Sequence, residues 1–215
     1  MEGIKPEDIK FTPFTDGKIR VWFRMIDVGK DGYMCKDDFL SIADRFVKEY
    51  SLSGGKATEV RDWLVDGWNI VLDMDKHKES VEEMMKKMPL VVAMGNKVRS
   101  GARISEDEFT QAYGQLIEVY PQLAKESLEK MVGAFFEVFD EDSDCYITDA
   151  EMTSAMHCFG YDQPDLVKAA FASMDLDKDG KLSREEYVGG WVSFMLDQDK
   201  SNPFVKAFAP HLVEQ

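Results

Sequence analysis

The chain has 215 residues, and its 41 acidic and 26 basic side chains give a formal net charge of −15 at pH 7. A charge of this sign and size argues against nucleic acid and anionic membranes as partners, and it favours cations as the counter-charge. The hydrophobic share of 44% and the aromatic share of 12% indicate a folded globule, and no apolar stretch reaches the roughly 18 residues that a membrane span needs.

The first predicted element is a helix over residues 19–26, and a twelve-residue loop, 27–38, follows it. The loop reads DVGKDGYMCKDD and has the frame of an EF-hand calcium loop, in which alternate residues supply oxygen ligands around a glycine turn. The candidate ligands are the side chains of Asp27, Asp31 and Asp38 and the backbone carbonyl of Tyr33. Gly29 removes one carboxylate, and Asp38 is shorter than the usual glutamate. We favour a metal site that suits Mg²⁺ better than usual, with a loop kept only for packing as the alternative.

Two further helices are predicted over residues 39–46 and 57–72, and an inserted segment follows at about 74–95. The segment is rich in methionine, with Met74, Met84, Met85, Met88 and Met94. Its apolar spacing predicts a short helix over residues 81–88 that ends at Pro89. We expect the segment to cover a hydrophobic face, and the alternative is a contact site for a partner or a ligand, because methionine adapts readily to different surfaces.

A second loop, 97–108, keeps only the frame of the first. It reads KVRSGARISEDE, with Lys97, Arg99 and Gly101 at three positions where a calcium loop needs carboxylates. Two positive charges at a cation's site should prevent coordination, so we predict a metal-free loop. Ile104 still stands at the position that pairs with Met34 of the first loop, and a short strand pairing is therefore expected.

The third loop, 140–151, follows a helix predicted over residues 124–139 and reads DEDSDCYITDAE. The candidate ligands are the side chains of Asp140, Asp142, Asp144, Thr148 and Glu151 and the backbone carbonyl of Tyr146. Cys145 takes the place of the turn glycine, so a side chain must adopt the left-handed conformation at a cost of about 1 kcal/mol or somewhat more. We predict a calcium site that tolerates this cost.

The fourth loop, 175–186, reads DLDKDGKLSREE and fills every position of the motif, with Gly180 at the sharp turn. The candidate ligands are the side chains of Asp175, Asp177, Asp179, Ser183 and Glu186 and the backbone carbonyl of Lys181. Leu182 is expected to pair with Ile147 of the third loop. Further helices are predicted over residues 149–159, 165–174 and 184–195. The apolar tail is expected to fold back on the core, with a docking segment as the alternative; its apolar residues are Phe204, Val205, Phe208, Leu212 and Val213.

The resulting fold class is all-α, with four EF-hands in two pairs and short antiparallel β pairings between paired loops. One pair is predicted within residues 1–120 and the other within residues 121–215. Two or three Ca²⁺ ions are expected. The three histidines are scattered, and neither a nucleophile arrangement nor a phosphate loop is present, so an enzyme is not expected. Three cysteines without metal or redox spacing and a start without a signal-peptide pattern predict reduced thiols in the cytoplasm.

The order of complete and degenerate loops resembles that of the invertebrate sarcoplasmic calcium-binding proteins, relatives of the calcium-regulated photoproteins and luciferin-binding proteins. The resemblance covers about residues 17–208 and includes the aspartate that closes the first loop and the segment GGWVSFMLDQDKSN after the last one. It implies a compact protein that buffers Ca²⁺ and Mg²⁺ without opening a target groove. Cys145 and the inserted segment depart from the family pattern. Photoproteins carry a histidine five residues after the final loop glutamate, where this chain has Trp191, so light emission is not expected.

Three functions therefore remain open. A monomeric cytoplasmic buffer is favoured, because the apolar tail and the resemblance both indicate a closed core. The main alternative is a calcium sensor that exposes an apolar groove to a target protein. The minor alternative is a carrier of a lipophilic ligand such as a luciferin, held in an apolar interior.

Overall fold

The computed structural model describes residues 4–70, 83 and 86–213. In the first half of the chain, the elements are α1 (Pro13–Ile26), β1 (Tyr33–Met34), α2 (Lys36–Glu49), α3 (Gly54–Ile70), α4 (Pro89–Ser100), β2 (Ile104–Ser105) and α5 (Glu106–Val119). In the second half, they are α6 (Pro121–Phe139), β3 (Tyr146–Thr148), α7 (Asp149–Cys158), α8 (Pro164–Met174), β4 (Lys181–Ser183), α9 (Arg184–Leu196) and α10 (Pro203–Phe208). The predicted all-α fold class with two short antiparallel strand pairs is confirmed.

The prolines of this chain begin helices. The predicted break at Pro89 is present, since Met88 is not helical, but Pro89 also begins the next helix, α4, because a proline lacks only an N–H that has no partner in the first helical turn. Residues 89–95 therefore belong to the helix that enters the second loop. The helix predicted at residues 81–88 lies mostly outside the described residues, as do Met74, Met84 and Met85, while residues 83, 86 and 87 are helical. Met88 and Met94 are buried, so both pack in the interior.

The two strand pairs have the predicted register. Met34 lies opposite Ile104 in the first pair, and Ile147 lies opposite Leu182 in the second. All four side chains are at most 2% exposed. These pairings hold adjacent loops together in each half, so the loops are positioned in pairs by apolar residues that bind no metal.

The hydrophobic core is continuous between the two halves of the chain. The ring of Phe46 on α2 lies 6.0 Å from that of Phe139 on α6 and 5.8 Å from that of Phe159 just after α7. Helix α2 packs against α7, and α1 packs against α9. Each half keeps its own strand pair, and the division at about residue 120 stays a prediction.

The tail folds back on this core, as predicted. Phe204, Val205 and Phe208 of α10 are buried, and the Phe204 ring meets that of Trp191 on α9 edge to face at 4.8 Å. Helix α10 also packs along α8. The apolar faces of the last hand are therefore covered by the chain itself.

A buried polar junction joins α1 to the end of α9. The side chain of Lys18 is fully buried, its ammonium donates to the backbone carbonyl of Asp197, and it lies 4.4 Å from the centre of the Phe14 ring. Desolvation lowers the pKa of Lys18 to about 8. The side-chain amide of Gln198 donates to the Thr15 hydroxyl at 2.8 Å. Within the described ranges, no helix is long and apolar enough to cross a membrane.

Candidate metal centres

Three of the four loops share one backbone conformation. At their sixth positions, φ is positive at Gly32 (80°), Cys145 (69°) and Gly180 (84°), which confirms the left-handed conformation predicted for Cys145. At their fourth positions, φ is also positive, at Lys30 (53°), Ser143 (61°) and Lys178 (61°). The positive φ at the fourth positions was not predicted, since no glycine or asparagine stands there. This shared geometry turns alternate side chains towards the loop centre.

The loop 140–151 gathers three carboxylates. Oxygen atoms of Asp140, Asp142 and Asp144 lie within 4.8 Å of one another. Asp140 accepts hydrogen bonds from the backbone N–H groups of Asp144 at 3.0 Å and Cys145 at 2.9 Å, so the loop is folded around it. Burial raises the pKa of Asp140, and these backbone donors act against that rise. A hard divalent cation fits such a set of anionic oxygens.

The loop 175–186 gathers a second set, from Asp175, Asp177 and Glu186, within the same 4.8 Å. One oxygen of Asp175 accepts from the backbone N–H of Gly180 at 3.1 Å. The other, Oδ1, is buried and has no hydrogen-bond partner. A buried carboxylate oxygen without a partner is costly, and a bound cation would remove that cost. The donor set of this loop therefore fits a metal ion.

The closing glutamates of these two loops are held in place by the residues at the ninth positions. Glu186 Oε2 accepts from the Ser183 hydroxyl at 2.7 Å, and Glu151 Oε2 accepts from the Thr148 hydroxyl at 2.7 Å. Each hydroxyl in turn accepts the backbone N–H of its glutamate, which completes a capping box at the start of α9 or α7. The structure thus places both hydroxyls on the glutamates, and their predicted roles as direct metal ligands remain predictions.

The loop 27–38 offers fewer carboxylate ligands than these two loops. Asp27 accepts from the backbone N–H of Gly32 at 2.9 Å, and Asp38 accepts from that of Cys35 at 2.9 Å. Its carboxylates do not form a three-membered group as close as those of the other two loops, within the part of the chain that the structure describes. A Cβ built on Gly29 would lie 3.4 Å from Asp38 Oδ1, so the third position faces the loop centre without contributing a ligand.

The loop 97–108 carries a cation of its own. The Lys97 ammonium, at the first position, bonds to the carboxylate of Glu108 at the twelfth, and this bond lowers the pKa of Glu108. Helix α4 continues to Ser100, so the first four loop positions are helical rather than turned towards a centre. Both features are physical reasons for the predicted absence of a metal here.

Two contacts between paired loops were not predicted from the sequence. Arg103, at the seventh position of the second loop, donates to Asp31 Oδ2 of the first loop at 2.8 Å. Lys181, at the seventh position of the fourth loop, donates to Asp144 Oδ2 of the third loop at 2.6 Å. Both pairs join equivalent positions, and their residues are far apart in sequence, so local patterns carry no signal for them.

Comparisons with known proteins agree with this geometry. Residues 129–191 match the family of EF-hand domain pairs. The sarcoplasmic calcium-binding protein of Mizuhopecten yessoensis is 24% identical over 193 residues, which cover 88% of this chain and 94% of that protein. The luciferin-binding protein of Renilla reniformis is 24% identical over 174 residues, which cover 80% of each chain.

Among solved structures, the calcium-loaded apo form of the coelenterazine-binding protein from Renilla muelleri has a TM-score of 0.65 at 21% identity. The likeness covers 92% of this chain and 98% of that one. All three proteins are named for what they bind and not for a catalysed reaction, in agreement with the expectation of a non-enzyme. The chain therefore contains an EF-hand domain pair, which supports calcium binding, and along most of its length it is similar to sarcoplasmic calcium-binding and luciferin-binding proteins.

Proposed function

We propose that this protein is a monomeric cytoplasmic buffer of Ca²⁺ and Mg²⁺ that keeps its apolar interior closed when metal binds. The observation that carries the proposal is the position of α10, whose aromatic side chains fill the interior beside α9. A sensor must expose an apolar groove to its target when calcium binds. In the last hand, such a groove would open only if the tail moved away from α9.

The cost of opening favours the closed form. Phe204 and Val205 are each 1% exposed and Phe208 is 6% exposed. Removing one such side chain from its contacts costs about 1.5–3 kcal/mol, so release of the three costs several kcal/mol before any target binds. The core that joins the two halves through Phe46 would oppose the same opening.

The proposed metal sites are graded. The loops 140–151 and 175–186 are the calcium sites, with the ligands predicted from the sequence. The loop 27–38 is proposed as a third and weaker site, in which a reduced ligand set and retained waters suit Mg²⁺. Each bound ion would remove two of the 15 net negative charges and lessen self-repulsion. Binding to the folded state alone adds about 2.7 kcal/mol of stability per site at a free ion concentration 100-fold above Kd.

The proposal is tested by combining a hydrophobic dye with thermal unfolding. The melting temperature should fall sharply in chelator, while dye fluorescence should stay low both with and without calcium. A dye signal that rises strongly with calcium, or a target protein recovered from extract only with calcium, would instead support a sensor. An unchanged melting temperature in chelator would show that the sites are weak or empty.

A second candidate function, a carrier of a lipophilic ligand, is favoured by one feature of the surface. A cleft of about 850 Å³ lies between α1, α2 and the segment after α7. Its lining includes the apolar residues Val21, Met25 and Phe208 and the basic residues Arg45 and Lys48. A volume of this size suits a drug-sized ligand. The pocket within the aromatic interior, beside Trp22 and Trp191, is only about 30 Å³, room for about one water molecule.

The relatives named for luciferin and coelenterazine binding give this candidate its chemical class. Organic extraction and mass spectrometry of protein purified from its native tissue would test it. A stoichiometric apolar molecule would support the carrier, and its absence would leave the buffer as the only proposed function.

A further inference from the structure

We propose that Arg103 and Lys181 are tethered counter-ions that weaken metal binding in the neighbouring loops, 27–38 and 140–151. The inference rests on the proposed calcium sites and deepens them, since it assigns the control of affinity to two residues outside the loops that they affect. It is carried by the same arrangement of charge and ring in both halves of the molecule.

The two arrangements match contact by contact. Arg103 donates to Asp31 at 2.8 Å, and its guanidinium lies 4.1 Å from the centre of the Tyr33 ring. Lys181 donates to Asp144 at 2.6 Å, and its ammonium lies 5.2 Å from the centre of the Tyr146 ring. In each half, the basic residue is at the seventh position of one loop. It bonds the fifth-position carboxylate and covers the seventh-position tyrosine of the other.

The strand pairs fix this geometry. Lys181 lies opposite Thr148 in the second pair, and Tyr33 lies opposite Ser105 in the first. Each basic side chain therefore emerges at the edge of the partner loop and can reach its fifth-position carboxylate. Asp144 therefore already has a cationic partner, the Lys181 ammonium at 2.6 Å.

A metal ion must share that carboxylate with a charge that cannot diffuse away. The tethered cation repels a divalent ion and holds one of the fifth-position oxygens, so it opposes coordination in both ways. Lys181 is also the predicted carbonyl ligand of its own loop. One residue thus touches two candidate sites and links them.

The effect should be moderate because both pairs are partly exposed, with side-chain exposures between 34% and 53%. Removing one positive charge at this range should tighten calcium binding about threefold to tenfold at low salt. The change should shrink at high salt, where exposed charges are screened.

A purely structural role predicts the opposite result. If the ion pairs only stabilise the strand pairing, their removal loosens the loops and leaves calcium affinity unchanged or weaker. The sign of the change in affinity therefore separates the two interpretations.

The test for Lys181 uses terbium, which replaces calcium and is sensitised by a tyrosine at the loop. All variants carry Tyr33→Phe, which removes the tyrosine of the loop 27–38. The part of the terbium emission that disappears when Tyr146→Phe is added then comes from the loop 140–151. Lys181→Met is compared with Lys181→Arg, which keeps the charge. Lys178→Met is the matched control, because it removes an equal charge from another position of the loop 175–186.

We expect Lys181→Met to tighten terbium and calcium binding in the loop 140–151 by about threefold to tenfold, with Lys181→Arg close to the parent protein. Lys178→Met should have a clearly smaller effect. Equal effects of Lys181→Met and Lys178→Met, or weaker binding by Lys181→Met, would overturn the proposal. Calorimetry of the parent protein with calcium is run in parallel, so a chain that binds no calcium would refute the proposed function instead.

The first pair provides an independent repeat. In a Tyr146→Phe background that keeps Tyr33, Arg103→Met should tighten terbium binding in the loop 27–38. Arg99→Met is the control, since the Arg99 guanidinium donates to the Asn96 side chain at 2.7 Å and not to a carboxylate of the loop 27–38. A terbium affinity that stays the same in Arg103→Met would refute the role of Arg103.

Discussion

Replacing Phe204 by alanine should open the interior that the tail covers. Phe204 is 1% exposed, and its ring meets those of Trp191 at 4.8 Å, Phe194 at 4.9 Å and Phe208 at 4.8 Å, each edge to face. Loss of a fully buried phenylalanine costs about 3–5 kcal/mol, which combines the lost transfer energy with the cavity left behind. We therefore expect Phe204→Ala to reduce the free energy of unfolding by about this amount.

The measurement is urea unfolding followed by circular dichroism in saturating calcium, which adds stability and keeps the variant folded. A hydrophobic dye is added under native conditions, and we expect Phe204→Ala to bind it where the parent protein does not. Leu90→Ala is the control, because Leu90 is 42% exposed and its loss should change stability by at most about 0.5 kcal/mol. A loss of less than about 1 kcal/mol for Phe204→Ala, without dye binding, would refute the idea that α10 closes the core.

Three further predictions concern single positions. Gly29→Asp should restore a third-position carboxylate and strengthen calcium binding in the loop 27–38 by about tenfold or more, as measured by calorimetry; an unchanged affinity would mean that this position does not face the ion. Cys145→Gly should raise the free energy of unfolding in chelator by about 0.5–1 kcal/mol, because it relieves a φ of 69° at an exposed side chain, and a decrease in urea unfolding experiments would contradict this. Lys18 has its pKa lowered from 10.5 to about 8, so between these pH values the unfolded chain binds one more proton than the folded chain. As the pH is raised from 8 to 10.5, the free energy of unfolding of the parent protein should therefore rise relative to that of Lys18→Met by up to about 3 kcal/mol. Parallel pH profiles of the two proteins would rule this out.

The local parts of the fold could be predicted from the sequence because the loop motif fixes them. The motif sets the position of each apolar strand residue, so the pairing of Ile147 with Leu182 followed from spacing alone. It also sets the position of the turn, so the conformation of Cys145 followed from its place in the loop. Periodic apolar spacing gave most helices. The helix Pro89–Ser100 was not predicted and the helix predicted from residue 124 begins at Pro121, because each proline was taken as a break and not as a first helical residue.

The long-range polar contacts could not be predicted in the same way. Arg103 and Lys181 stand at loop positions where the motif specifies only a backbone carbonyl, and their side-chain partners depend on how two loops meet. Burial of Lys18 depends on the end of α9, far away in sequence. These contacts of Arg103, Lys181 and Lys18 are set by tertiary packing rather than by local pattern. The hydroxyls of Thr148 and Ser183 are a different case, because each bonds the closing glutamate three residues later in a capping box, a local pattern that the sequence already contains.

A calorimetric titration with calcium, repeated in the presence of magnesium, would show whether the three proposed sites differ in affinity and in metal preference. A graded buffer predicts two calcium sites that survive moderate magnesium, in the loops 140–151 and 175–186. It also predicts a third and weaker site that magnesium occupies first, and this site should disappear in Asp27→Ala. Fewer than two calcium sites, or three sites of equal affinity that magnesium does not affect, would contradict a graded set of sites.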